Sequence, residues 1–73
     1  MTAEEIKKTE EFADKIKGAN FSYDTAFICG TLAFCEENKD RTIELLDKFI
    51  ELIDKYPDER EFVAKACSAA GID

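Results

Sequence analysis

Histidine and tryptophan are absent from these 73 residues, proline occurs once and glycine three times. Without histidine the commonest general acid–base side chain and the commonest metal ligand are missing. The glycines at 18, 30 and 71 are too scattered to build a phosphate-cradling loop. Cysteine occurs at 29, 35 and 67, an odd number and without a CxxC pair. On one helix Cys29 and Cys35 are separated by about 9 Å of rise, beyond the roughly 7 Å Cα limit of a disulfide. A Cys29–Cys67 or Cys35–Cys67 bridge is geometrically open, but nothing in the pattern calls for one. Three thiols without histidine do not form a recognisable zinc set. Reduced, buried cysteines acting as small hydrophobes are the plainer reading, and no cofactor or metal is expected.

Basic residues are also scarce. Ten Lys and Arg against seventeen Asp and Glu leave a net charge of −7. That speaks against direct nucleic-acid binding, which needs a basic patch to displace counterions, and against an anionic membrane surface. The longest uncharged run, the eleven residues Thr25–Cys35, is well short of the roughly 18 that suggest a membrane span. Met1–Lys8 is polar and lacks the apolar centre of a signal peptide. These features predict a cytoplasmic protein. A chain this short buries only about 60% of its unfolded surface, so one domain, residues 1–73, is expected, with self-association as the remaining source of support.

What is present reads as all-α: a small four-helix bundle-like array over about 2–17, 23–38, 41–55 and 59–70. Thr2 with Glu5 is a capping box, in which each side chain satisfies an amide near the other. Gly18 is expected to close the first helix as its left-handed C′ residue. Ser22 is an N-cap for the second helix, with Asp24 favourable to the dipole in its first turn. Asp40 is expected to cap the third, which Pro57 stops. Asp58 with Glu61 repeats the capping box, and Gly71 ends the fourth helix. Glu precedes Lys by four at Glu4–Lys8, Glu11–Lys15, Glu44–Lys48, Glu51–Lys55 and Glu61–Lys65, the orientation that supports a helix. The second helix carries no such pair. Its uncharged stretch is therefore expected to be the buried axis, with this helix central.

Read by face at about 100° per residue, the second helix has Tyr23, Phe27 and Phe34 on one side. Small residues, Ala26, Cys29, Gly30 and Ala33, occupy the other. Ala26, Gly30 and Ala33 are candidates for close packing against another backbone, or for a ligand slot. The third helix has two apolar ridges, Ile43–Leu46–Ile50–Ile53 and Leu45–Phe49–Leu52–Tyr56, together about half its circumference. That is wider than the roughly 100° stripe of a surface helix. The ridge Leu45, Phe49, Leu52 and Tyr56 is thus the candidate partner-binding surface. The acids Glu44, Asp47, Glu51 and Asp54 share one side of the same helix and read as a solvated face.

In size, acidity and helix count the chain resembles acyl carrier proteins, whose function rests on a serine in an Asp-Ser-Leu motif. Ser22 lies in Asn20-Phe21-Ser22-Tyr23, with neither neighbour, so that resemblance carries over no residue. No catalytic constellation stands out. The expected function is a non-enzymatic protein-interaction module: a small acidic adaptor, regulator or inhibitor. Its expected partner is another protein with a basic surface, or a second copy in a homodimer. The alternative is a helical carrier for a small apolar ligand beside helix two.

Overall fold

The computed structural model describes residues 1–72, and among them lie four α-helices: α1 Ala3–Gly18, α2 Tyr23–Phe34, α3 Thr42–Lys55 and α4 Glu59–Ala69. The expected all-α array is what forms. Three of the four N-termini are set by the predicted local chemistry, Asp58 with Glu61 closing only one arm of its box. Thr2 and Glu5 close both arms of the capping box, the Ser22 hydroxyl accepts from the Thr25 amide, and the Asp58 carboxylate accepts from the Glu61 amide. Each such cap stabilises its helix by about 1 kcal/mol.

Three boundaries differ from expectation. Gly18 is the last residue of α1, and the left-handed position falls to Asn20 (φ 61°). The Asn20 amide donates to the Lys17 carbonyl and the Phe21 amide to the Ile16 carbonyl, a Schellman closure with asparagine at C′. The second helix stops at Phe34 rather than Asn38, and Glu36–Arg41 forms a 3-10 helix instead. The Asn38 amide group donates to the Leu32 carbonyl (3.0 Å) and the Thr42 hydroxyl to the Ala33 carbonyl (2.8 Å). These side chains satisfy two of the carbonyls left open at the helix end. Asp40 lies inside the 3-10 segment, and α3 starts at Thr42 with no side-chain cap. At the far end Gly71 (φ 87°) ends α4 as predicted, with Gly71 and Ile72 amides donating to the Ser68 and Cys67 carbonyls.

Tertiary ties fix the helix directions. Lys8 meets Asp47 at 2.6 Å and Lys15 meets Asp54 at 2.9 Å. Both pairs advance seven residues on each helix, so α1 and α3 run parallel with a seven-residue register. Phe12 and Phe49 meet at a tilt between those rungs with centroids 6.0 Å apart. Ser22 and Thr25 bond Glu59 at one end of the molecule, while Arg41 donates to the Ala69 carbonyl at the other. Hence α2 and α4 run parallel to each other and opposite to α1 and α3. Lys8 and Lys15 of α1 reach across to α3, and none of the five expected i,i+4 pairs closes within 4 Å among the described residues.

The second helix touches each of the other helices, as expected of its central place. Its uncharged stretch is not the buried axis, however: α3 carries the largest share of the core, with Leu45, Leu46, Phe49, Leu52 and Ile53 all buried. α1 lies on one flank of α3 and stays apart from α4. The molecule is flattened, 30 × 26 × 19 Å, with α2 and α3 in contact across the diagonal and α1 and α4 held apart.

Candidate functional site

Burial decides which predicted site residues can meet anything. The α3 ridge proposed as a partner surface is core: Phe49 is 0% and Leu45 1% exposed, and Leu52 is buried beside them. Only Tyr56 reaches partly to solvent, with the Lys65 ammonium 5.3 Å from its ring centre. Most of the apolar half of α3 is used because α1, α2 and α4 all pack on it, leaving Ile43, Ile50 and Tyr56 half-buried. The width of the face was legible; its occupancy by the chain's own helices was not.

The small side of α2 turns inward and its bulky side outward. Thr25, Cys29, Leu32 and Ala33 are buried, whereas Tyr23 is 87% and Phe27 70% exposed, and Phe34 is also exposed. Of the proposed packing or ligand-slot residues, Ala33 is in the core and Ala26 packs against its edge. Gly30 is half-buried, and a Cβ built on it would meet no atom within 4 Å. Close backbone approach is therefore not the reason for glycine at this position.

Polar pins set the roll of α2 about its own axis. At the N-terminal end the Thr25 hydroxyl and the Ser22 amide both donate to one Glu59 carboxylate oxygen. Those bonds, Thr25 foremost, hold the Glu59 carboxyl below its ordinary value. At the C-terminal end the Leu32 and Ala33 carbonyls receive Asn38 and Thr42. With Thr25, Leu32 and Ala33 turned in, 100° steps bring Tyr23, Phe27 and Phe34 onto one outward strip. The strip is about 16 Å long at 1.5 Å per residue. At roughly 200 Å² per aromatic side chain and the exposures above, it presents on the order of 400 Å² of aromatic surface. Gly30 lies along the edge of the strip and leaves a notch between Phe27 and Phe34. Its place in the helix interior costs about 1 kcal/mol relative to alanine, and no packing in this fold offsets that.

Comparison with protein-family models, with curated proteins and with solved structures finds no match to this chain. The site therefore rests on its own geometry.

The four acids of α3 that share one side are each paired: Glu44 with Arg41, Asp47 with Lys8, Glu51 with Lys48 and Asp54 with Lys15. Around α2 the balance is different. From Ala19 to Asn38 there is no Lys or Arg, and Asp24, Glu36 and Glu37 flank the aromatic strip at its two ends. Two open grooves occur elsewhere. One of about 660 Å³ lies between α1 and α3, floored by Ile50 and Ile53 and rimmed by Asp14, Lys15 and Asp54. The other, about 350 Å³, lies along α3 against Ala69. Neither is lined by a residue of α2.

The three thiols are free, and burial, with Cys67 nearby, pushes the Cys29 thiol up to about 12. A thiol so protonated at neutral pH is not a nucleophile. No group of three or more Cys, Asp or Glu side chains is placed to hold a metal among the described residues. Among the same residues no helix is long and apolar enough to cross a membrane.

Proposed function

We propose that this chain is a non-enzymatic protein-interaction module whose contact surface is the outward face of α2. The observation that carries the reading is the solvent exposure of Tyr23, Phe27 and Phe34 on a helix whose roll is fixed by Thr25, Asn38 and Thr42. Aromatic side chains dominate binding hot spots because each covers a large area with few rotors to immobilise. Here three of them stand in a line on a pinned helix, so little ordering is needed on contact. The setting is a small acidic adaptor, regulator or inhibitor of the cytoplasm, acting through another protein.

The test compares proteins retained from a native-host lysate by the wild type, by Phe27→Glu and by Lys55→Glu, each checked for an unchanged helical spectrum. Partners held by the wild type and by Lys55→Glu but lost with Phe27→Glu support the reading. A retained set indifferent to Phe27→Glu, with no Phe27-dependent self-association in sedimentation, overturns it.

A further inference from the structure

A surface of this shape and charge selects its occupant. We infer that the α2 face docks a cationic amphipathic helix, lying over the Gly30 notch with Lys or Arg at both ends of its apolar stripe. This rests on the reading of α2 as the contact surface and adds the partner's chemistry to it.

The geometry favours a helix. Among the described residues the protein has no strand and so offers no sheet edge for an extended peptide to extend. What it offers is a pair of aromatic ridges, Phe27 and Phe34, with a gap where Gly30 has no side chain. Ridges of one helix seat in the grooves of another, and the missing Cβ lets an incoming backbone settle there. The fold makes no use of that vacancy, since no atom lies within 4 Å of the position a Cβ would take.

Charge decides between a foreign helix and a second copy. Two copies packed antiparallel through α2 would bring Asp24 of one towards Glu36 and Glu37 of the other. Packed in parallel, each Asp24 would face its own equivalent. Glu36 is offset by Lys39, but no Lys or Arg between Ala19 and Asn38 is there to offset Asp24 or Glu37 in either juxtaposition. Like charges brought together select against such a pairing. A helix with basic ends meets acids at both ends of the strip instead. Asp24 stands at one end, where Glu59 is also held by Ser22 and Thr25, and Glu37 stands at the other. Such rim charges raise the on-rate and set register more than they add affinity.

A library of helical peptides displayed on phage and selected against the intact chain tests this. The expected binders carry an apolar stripe with basic residues at both ends. They weaken as ionic strength rises, lose at least about tenfold in affinity on Phe27→Glu, and weaken severalfold on Gly30→Ala. Phe27→Glu should keep the helical spectrum of the wild type, since its side chain is mostly in solvent. Binders with acidic or neutral ends, an absence of binders, or binders indifferent to Gly30→Ala overturn the cationic-helix proposal while leaving the contact surface standing. A monomer–dimer equilibrium abolished by Phe27→Glu makes a second copy the occupant and likewise overturns it. Binders indifferent to Phe27→Glu refute the contact surface itself.

Discussion

Replacing Gly30 by alanine should make the free protein more stable. Gly30 sits in the interior of α2, at an ordinary helical backbone conformation, and its would-be Cβ meets no atom within 4 Å. The gain is then the full helix-propensity difference, about 1 kcal/mol, with no steric term to subtract. For a domain of this size that corresponds to about 4–8 °C in Tm. Thermal and urea unfolding followed by circular dichroism read it directly, with the urea m-value unchanged because the surface exposed on unfolding is the same. The other glycines provide internal controls. Gly18 also has nothing within 4 Å, but it ends α1, so Gly18→Ala should give a smaller gain. Gly71 has φ +87°, a conformation that costs an L side chain about 1–2 kcal/mol, so Gly71→Ala should destabilise. A Gly30→Ala protein no more stable than the wild type would refute the open notch on which the docking geometry depends.

Two further outcomes are expected. Phe49→Ala removes a fully buried ring packed at a tilt against Phe12 and should cost about 3–5 kcal/mol. Set against roughly 4–11 kcal/mol for a domain this size, that removes from about a quarter of the stability to all of it, read as a lowered urea midpoint by circular dichroism, and a variant as stable as the wild type would return the α3 ridge to candidacy as a surface. Glu59→Gln tests the pin on α2 through pH: the folded-state value lies below the unfolded one, so the charge-dependent stabilisation is complete above about pH 4.5 and is lost as pH falls through the folded value. The stability gap between wild type and Glu59→Gln should therefore narrow on acidification below that point, and a gap constant from pH 7 to 3 would show that the charge of Glu59 contributes nothing.

Much of the helix punctuation was readable because capping is local. Thr2–Glu5, Ser22, Asp58, Pro57 and Gly71 act within a few residues of themselves, and the structure uses each at its expected place. What resisted reading depends on groups far apart in the chain. A helix apolar on every side reads as buried, so α2 looked like the buried axis. Its roll is decided by Glu59, thirty-four residues beyond Thr25, and by Thr42, nine beyond Ala33. The early stop of α2 has the same origin, since Cys35–Asp40 continues a plausible helical pattern until Asn38 and Thr42 turn back onto the last turn. The α3 ridge was misjudged because its width was compared with a helix that has one neighbour, and α3 has three. The side-sorting of Tyr23, Phe27 and Phe34 was visible, but which side faces water was not.

The parallel pairing of α1 with α3 also bears on how the chain finds this arrangement. Lys15 and Asp54 are thirty-nine residues apart, so the largest interhelical seam forms only after α2 and the 3-10 segment have been looped out. Hairpin bundles zip from neighbour to neighbour, whereas here the entropy of closing a loop of that length must be met before Phe12 reaches Phe49. Pairings so distant in sequence slow folding relative to helical proteins built from adjacent pairs. They also join the first helix to the third in one cooperative unit. A chain whose α1 has come away uncovers part of the α3 core, so the same seam that leaves α2 free to face outward also guards against aggregation.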